Sequence, residues 1–300
     1  MKHVEAKCLL CWLMALCLVA FLLAACINQG SSLSSATSLT PTPHKYIWLI
    51  SNAALRLLEQ TDPSGTLAKT YFDNPDTYLL GASTTGEPPD WLSVPTISFT
   101  SYATLQRAFE REMISPMVKA VVYDNESWRF TPVQEQRDPA LYYRLAAQLV
   151  HQHHLLFIAT PATDLVQLQA STQGTIYQRF LQLGFVAAAA RYADIYEIQA
   201  QGSEMNLEQY KTFVKEAVMQ AKAANPHVEV LAGLSTNPDG KKVTADELYR
   251  AVLATQDTVS GYWLNIPSGG AYCPGCGKPQ VQVAISFLKE LSSQGATAGN

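Results

Sequence analysis

The chain has 300 residues with a formal net charge of −4, and 48% of its residues are hydrophobic and 15% charged. This balance is ordinary for a folded globular protein, and the slight negative charge does not indicate a surface that binds nucleic acid. The sequence also lacks a glycine-rich phosphate-binding loop and a GxSxG nucleophile motif. We therefore expect neither a nucleic-acid partner nor a cofactor.

The N-terminal segment has the pattern of an export signal. Basic residues precede an apolar run, Cys8–Ala25, which is too short and too close to Met1 to favour a permanent span. The run ends in Leu23-Ala24-Ala25-Cys26, which resembles the lipobox of bacterial lipoproteins. The resemblance implies removal of residues 1–25 and lipid attachment at Cys26, with an uncleaved anchor as the alternative. Either outcome predicts an extracytoplasmic protein held to the bacterial cell membrane.

The segment after the lipobox has the composition of a tether. Residues 26–44 are rich in Ser, Thr, Pro, Gln and Asn and contain few apolar side chains. Such a segment cannot bury enough surface to offset the entropy of ordering it, so it is predicted to be flexible. The remainder, residues 45–295, is about the right length for one large domain.

Two cysteines remain in this domain, Cys273 and Cys276. In an oxidising compartment, a CxxC pair is most simply a local disulfide. A zinc site would need two further ligands, and the histidines give no matching spacing. A redox motif is the other alternative, although Pro274-Gly275 between the cysteines indicates a tight loop rather than a helix start. We predict a disulfide and no metal site.

From Tyr46 onward, apolar β-branched segments alternate with helical patterns, such as the leucines spaced by four in 139–152 and the capping box that begins at Thr244. The predicted strands are Tyr46–Asn52, Thr77–Ser83, Val94–Thr100, Lys119–Glu126, Leu155–Thr160, Ala193–Ala200, Val228–Leu234 and Val259–Ile266. The predicted helices are Ala53–Gln60, Thr104–Met113, Pro139–Gln152, Ile176–Arg191, Leu207–Ala224, Thr244–Thr255 and Val281–Leu291.

Eight strands, nearly all separated by helices over about 250 residues, predict an α/β fold, a single-domain (β/α)8 TIM-type barrel. The first third of the domain is the weakest part of this pattern, because its second and third helices are poorly marked. The alternative is an open doubly wound sheet. That fold normally has a glycine-rich first crossover, which this chain lacks.

The predicted fourth strand, Lys119–Glu126, begins apolar and ends in Asp124 and Glu126. Because strand side chains alternate between faces, both carboxyl groups point to the same side as Val122. Active sites of TIM barrels lie at the carboxyl ends of the strands. Two acids there repel each other, and the less solvated one keeps its proton to higher pH, as a general acid requires. The alternative is that both acids bind loop amides at a solvated strand end.

The motif Asp124-Asn125-Glu126 resembles the end of the fourth strand in the chitinase-like glycoside hydrolases of family 18. The resemblance implies that Glu126 protonates the leaving oxygen and that Asp124 orients an acetamido group of the substrate. The upstream part of the motif differs, because the family's earlier aspartates would fall on Lys119 and Val122.

A longer run, from Tyr123 through Trp128 and Thr131-Pro132 to Arg137-Asp138-Pro139, resembles a family of uncharacterised secreted bacterial proteins. This second resemblance spans most of the domain and implies no activity.

Polar groups at other strand ends complete the predicted site. Glu197, a third candidate catalytic residue, shares one face of the sixth strand with two glutamines, and the three either form a structural network or face substrate. The seventh strand ends without an acid, so the second carboxylate of a glycosidase would be Asp124 or Glu197. Trp128 and Trp263 can stack on a sugar ring or belong to the core. The predicted substrate-binding residues are Tyr123, Trp128, Gln199, Gln201, Asn237, Trp263 and Asn265.

Together these features predict a membrane-tethered, extracytoplasmic barrel that acts on carbohydrate as a glycoside hydrolase, by carboxylate acid/base chemistry. Two alternatives stay open. A non-catalytic carbohydrate-binding barrel would show no turnover that depends on Glu126. A solute-binding lipoprotein would hold a small polar ligand between two lobes joined by hinge crossovers, whereas this chain alternates evenly without a break. The oligomeric state cannot be read from the pattern.

The first testable prediction concerns anchoring. Changing Cys26→Ser should abolish incorporation of labelled palmitate, because the residue that accepts the lipid is gone. Wild-type protein expressed in a bacterial host should incorporate the label and fractionate with membranes. Equal labelling of both proteins would contradict the lipobox interpretation.

Overall fold

The computed structural model describes residues 46–81, 90–169 and 173–295. The chain divides into two units, Met1–Thr40 and Pro41–Asn300, and everything described belongs to the second. The predicted signal peptide 1–25, the lipidated Cys26 and the linker 26–44 lie outside the described residues, so these assignments stay predictions. Within the described ranges, no helix is both long enough and apolar enough to cross a membrane.

Eight parallel strands close into a barrel in sequence order, each paired with the next and the eighth paired with the first. This topology confirms the predicted (β/α)8 barrel. The strands are β1 (Ile47–Ser51), β2 (Thr77–Gly81), β3 (Val94–Phe99), β4 (Ala120–Tyr123), β5 (Leu156–Ala159), β6 (Ile195–Ile198), β7 (Glu229–Ser235) and β8 (Gly261–Asn265).

Helices follow most of the strands. They are α1 (Asn52–Thr61), α2 (Thr66–Phe72), α3 (Tyr102–Glu110), α4 (Val133–Arg137), α5 (Pro139–Gln152), α6 (Ile176–Gln182), α7 (Phe185–Ala190), α8 (Leu207–Ala224), α9 (Ala245–Thr255) and α10 (Val281–Gly295). Two short 3-10 helices, Thr163–Leu168 and Pro238–Gly240, follow β5 and β7.

The alternation of strand side chains separates two apolar layers. Outward side chains of the strands join those of the helices in the larger core, where Trp48 packs edge-on against Phe72 with ring centroids 5.5 Å apart. Inward side chains fill the barrel in a smaller cluster. Its buried members are Leu49, Leu80, Ala120, Val122, Ile158, Ile195 and Leu231. The filled interior leaves only the carboxyl ends of the strands to carry a site.

One predicted helix is divided in the structure, and two short helices were not predicted. The predicted helix Ile176–Arg191 is two helices, α6 and α7, because Gly184 between them adopts a left-handed conformation with φ 73°. The short α2 and α4 were not predicted. Neither has a side-chain N-cap hydrogen bond, so the usual signal of a helix start is missing from the sequence.

The short α4 matters because its Glu135 fastens β4 to α3. The buried carboxylate accepts hydrogen bonds from the Tyr123 hydroxyl at 2.8 Å, from the Ser101 hydroxyl at 3.1 Å and from the Tyr102 amide at 2.6 Å. A carboxylate at the start of a helix also interacts favourably with the helix dipole. The end of β4, where the candidate acids follow, is therefore held firmly from its outer side.

The barrel closes where Gly261 of β8 pairs with Ile47 of β1. A Cβ atom on residue 261 would overlap the carbonyl oxygen of Ile47, which is backbone and cannot move without separating the strands. Glycine at this position is therefore a condition for closure.

Changing Gly261→Ala should lower the free energy of unfolding by about 2–3 kcal/mol or more, as expected for overpacking against backbone. For a domain of this size the melting temperature should then fall by roughly 5–10 °C. Thermal unfolding followed by circular dichroism measures this. The control Leu253→Ala, at an exposed position of the preceding helix α9, should melt within a degree or two of wild type. Equal melting of the Gly261→Ala variant and wild type would contradict the argument.

Candidate active site

Asp124 directly continues β4 and ties three neighbouring strand ends together. Its amide donates to the Phe99 carbonyl of β3 at 2.9 Å, which extends the strand pairing by one residue. Its Oδ1 accepts from Thr160 Oγ1, after β5, and from Gln199 Nε2, after β6, each at 3.0 Å. Gln199 also donates to the Thr160 carbonyl at 3.1 Å. The Oδ1 atom of Asp124 is thus fixed by two donors from the side of β5 and β6.

Glu126 follows Asp124 by two residues, and the charge of Asp124 acts on it. Burial, followed by the charges of Asp124 and Asp164, raises the pKa of Glu126 to about 10. Burial also raises the pKa of Asp124, to about 6, while the hydrogen bonds from Thr160 and Gln199 oppose that rise. At neutral pH, Glu126 therefore holds a proton and Asp124 carries the negative charge.

Glu197 of β6 points into the barrel from the third converging strand. It is fully buried, and burial, with a smaller contribution from the charge of Asp124, raises its pKa well above the usual range. Gln201 Nε2 donates to its Oε1 at 3.3 Å, and its Oε2 has no hydrogen-bond partner among the residues described. Burial therefore favours the neutral form of Glu197, whose Oε2 is buried without a hydrogen-bond partner among the residues described.

Gly233 of β7 makes the position of Gln201 possible. The side-chain amide of Gln201 occupies the space where a Cβ atom on residue 233 would lie. Sequence reasoning missed this residue. The signal that was available is a lone glycine inside a buried strand, which often marks a close approach by another group.

Asp164 is a fourth acid that sequence reasoning missed. It lies in the 3-10 helix Thr163–Leu168 after β5, and its Oδ1 accepts from the Ser127 amide at 2.9 Å. Burial raises its pKa, and its charge in turn raises the pKa of Glu126. Its place five residues beyond the end of β5 could have identified it, since such loops form the active sites of this fold.

The aromatic and amide candidates lie at or near the mouth of the barrel. The amide of Trp128 donates to the Glu126 carbonyl at 2.9 Å, and its indole Nε1 donates to Thr131 Oγ1 at 2.9 Å. Trp263 and Asn265 lie on β8, where Trp263 packs against the inner apolar cluster; both are partly exposed. The backbone of Trp128 is therefore bonded to that of Glu126, whereas Trp263 packs on the apolar side chains that fill the barrel.

Two predicted binding residues are placed elsewhere, and we correct that interpretation. Tyr123 is fully buried between the barrel and the helices, because it is the outward-facing neighbour of Asp124 on the strand. Asn237 lies beyond the end of β7, where strand alternation no longer applies. Its Nδ2 donates to the carbonyls of Cys276 at 2.8 Å and Pro267 at 3.3 Å, so it fastens a loop.

The described residues contain no group of three or more His, Cys, Asp and Glu side chains arranged to hold a metal ion. A groove of about 520 Å³ lies at the opposite, amino-terminal end of the barrel, lined by Phe109, Lys119 and His153 among others. None of the predicted site residues lines this groove. The converging acids at the carboxyl ends are therefore the candidate active site.

No family model matches the chain, and no curated protein matches it. Neither resemblance stated from the sequence is thus confirmed at the level of family. Solved structures share the barrel at low identity. An active domain of a chitinase from Pyrococcus furiosus is 14% identical, with a TM-score of 0.45, over 85% of this chain and 98% of that one.

Two further structures show the same degree of likeness. A curdlan-specific exo-β-1,3-glucanase from Blastomyces gilchristii, in complex with glucose, is 12% identical over 79% of this chain and 94% of that one, with a TM-score of 0.44. A sugar phosphate isomerase/epimerase from Parabacteroides distasonis is 12% identical over 89% and 98%, with a TM-score of 0.45. These likenesses identify no substrate.

The raised pKa of Glu126 has a cost in stability. In the unfolded chain a glutamate titrates near ~4.3, whereas the folded protein keeps this proton to a pH of about 10. Between these values the unfolded state binds fewer protons than the folded state, so the free energy of unfolding falls as pH rises.

Changing Glu126→Gln removes this proton linkage and should stabilise the protein at neutral pH by on the order of 1–3 kcal/mol. The gain should be near zero at pH 4 and should grow towards pH 8. Melting temperatures across this range measure it. The control Glu216→Gln, at an exposed position of α8, removes a charge without removing a buried group. A gain that is independent of pH, or a loss of stability at pH 8, would contradict the assignment.

Proposed function

We propose that this barrel is a glycoside hydrolase in which Glu126 is the general acid and Asp124 is its anionic partner. The observation that carries the proposal is a pair of neighbouring carboxyl groups at the carboxyl ends of a TIM barrel, with the pKa of Glu126 raised to about 10 and that of Asp124 to about 6. Cleavage of a glycosidic bond requires a proton for the leaving oxygen and negative charge near the cation that develops on the sugar. The pair supplies both.

The closeness of the two acids limits the mechanism. A retaining enzyme with a carboxylate nucleophile places its two carboxyl groups ~5–5.5 Å apart, and an inverting enzyme places them ~6.5–9.5 Å apart. Asp124 and Glu126 follow the same strand and interact electrostatically, so in this proposal both stand on one face of the sugar, and Asp124 neither attacks from the opposite face nor activates a water there. Glu197 is kept neutral by burial and cannot act as an anionic base.

A nucleophile within the substrate satisfies this geometry. In the proposed mechanism, the carbonyl oxygen of a 2-acetamido group attacks the anomeric carbon while Glu126 protonates the leaving oxygen. Asp124 stabilises the positive charge that develops on the acetamido nitrogen. Water then attacks the anomeric carbon, and Glu126, now a carboxylate, takes a proton from it. This assignment agrees with the resemblance of Asp124-Asn125-Glu126 to family 18 enzymes and makes an amino-sugar glycan the substrate class.

The residues around the pair have supporting roles. Gln199 and Thr160 hold the Asp124 carboxylate in place, so it does not reorganise as charge develops. Glu197 lies buried below the pair, where burial raises its pKa and so favours its neutral form. The half-buried face of Trp263 offers an apolar surface for a sugar ring.

The proposed place of this reaction is outside the cytoplasm, at the membrane surface. The support is the N-terminal pattern, in which the lipobox Leu23-Ala24-Ala25-Cys26 is followed by a Ser/Thr/Pro-rich tether. A lipid on Cys26 would keep the enzyme within reach of glycans of the cell envelope or its surroundings.

Glu126→Gln keeps the shape of the acid but removes its proton. Once an active substrate is found by screening β-linked amino-sugar oligomers and other polysaccharides, this variant should hydrolyse it roughly 10²–10⁴-fold more slowly. Aryl glycosides with good leaving groups need less protonation and should lose much less rate. Asp124→Asn should slow the reaction and move the basic limb of the pH profile to lower pH, because a nearby negative charge no longer holds the proton on Glu126.

The matched control is Glu216→Gln, which should keep wild-type turnover because its side chain lies on an outer helix. A Glu126→Gln variant that stays within a few-fold of wild type would exclude Glu126 as the acid. Binding without turnover by the wild-type protein would instead indicate a non-catalytic carbohydrate-binding barrel.

A further inference from the structure

The loop after β8 reaches the loop after β4 at the mouth of the barrel. We call residues 267–280 the strap. Its Tyr272 packs against Phe130 with ring centroids 4.8 Å apart, and against Trp128 at 5.7 Å. Strands β4 and β8 lie opposite each other in a ring of eight strands closed in sequence order. These ring contacts therefore bridge the mouth from one side to the other.

The strap is held along its length. A disulfide joins Cys273 to Cys276, and the Gly269 amide donates to the Gly277 carbonyl at 2.5 Å. The side chain of Asn237, in the loop after β7, donates to the Cys276 carbonyl at 2.8 Å. The disulfide and the Gly269–Gly277 bond thus make the strap compact, and Asn237 fastens it to the loop after β7.

The other anchor, in the loop after β4, is equally fixed. The hydroxyl of Thr131 accepts from the Trp128 indole and donates to the Thr100 carbonyl at 2.6 Å. Gln136 Nε2 donates to the Trp128 carbonyl at 2.7 Å. Both rings that meet Tyr272 are therefore carried by backbone that is bonded to the barrel.

Solvent still enters the barrel beside the bridge. Ser98 of β3 is exposed, although it shares the inward face of the strand with Thr96 and pairs with Val122 of β4. Among the described residues, the carboxyl end of the barrel is therefore open at the level of β3, next to the acids that follow β4. Tyr272 itself leaves 69% of its surface exposed, so part of its ring is free on the outer side of the bridge.

We propose that the strap makes the site a pocket for the ends of glycan chains, with Tyr272 as the residue that determines this specificity. A continuous glycan cannot lie across a mouth that is bridged between opposite strands, whereas a terminal unit can enter at the β3 side. The exposed face of Tyr272 supplies a stacking surface for the next sugar unit. This inference rests on the proposed function and adds that hydrolysis begins at an end of the glycan chain.

The first experiment measures how many protein molecules bind to each glycan chain. The inactive Glu126→Gln variant is titrated with the β-1,4-linked hexamer of N-acetylglucosamine and with a soluble β-1,4-linked N-acetylglucosamine polymer of known length. If the protein recognises only chain ends, the same number of protein molecules should bind to each glycan chain for both ligands. A number that rises with chain length would overturn the end-binding inference and leave the proposed function standing. Absence of binding to both, together with no hydrolysis by the wild type, would overturn the proposed function and the inference with it.

The second experiment tests Tyr272 by product analysis. Wild-type enzyme should shorten an end-labelled hexamer stepwise, without products of internal cleavage at early times. Tyr272→Ala should bind the hexamer about 3- to 10-fold more weakly and should release internal fragments. The control Met219→Ala, at an exposed position of α8, should behave as wild type. Internal cleavage by the wild type, or a Tyr272→Ala variant with unchanged affinity and products, would overturn the assignment.

Discussion

The site depends on the electrostatic interaction between two neighbouring, partly buried carboxyl groups, Asp124 and Glu126. Removal of water from Asp124 and Glu126 favours their neutral forms, and their mutual repulsion means that only one of them ionises readily. Which one ionises is decided by donors. Thr160 and Gln199 both donate to Asp124, so the negative charge rests there and Glu126 keeps the proton. The placement of two hydrogen-bond donors thus determines which carboxyl group is the acid and which is the anion.

That placement is a property of the closed barrel. The donors come from the ends of β5 and β6, and the acceptor follows β4, so three adjacent strands must keep their register for the hydrogen bonds to form. The outer face of β4 is fixed separately through Tyr123 and Glu135. A fold with both faces of the strand fixed can keep buried acids at a defined distance, although each buried carboxyl group disfavours folding at neutral pH.

Much of this was predictable from the residue pattern. Alternation of apolar segments with helical stripes predicted the barrel, because each strand is buried on both faces and each helix on one. The same alternation placed Asp124, Glu197 and Gln199 on the inner face. It failed where the chain leaves the strand. Asn237 follows the last residue of β7, and its orientation is set by loop carbonyls that no local pattern encodes.

Residues that act through distant partners were the harder part. Asp164 and Glu135 show no sequence pattern of their own, and their roles arise only when loops from other strands meet them. The Tyr272 contact depends on two loops separated by more than half of the domain in sequence. Such contacts are a consequence of barrel closure, so the fold must be known before they can be inferred.

The contact between Gly233 and Gln201 limits which substitutions this site can accept during evolution. The glutamine amide fills the space that a side chain at position 233 would need, and the same amide is the hydrogen-bond donor to Glu197. Any side chain at position 233 would therefore displace the amide and leave a buried acid without its donor. We expect the two positions to covary among relatives of this protein, with a residue larger than glycine at 233 accompanied by a shorter side chain at 201 and loss of the acid at 197.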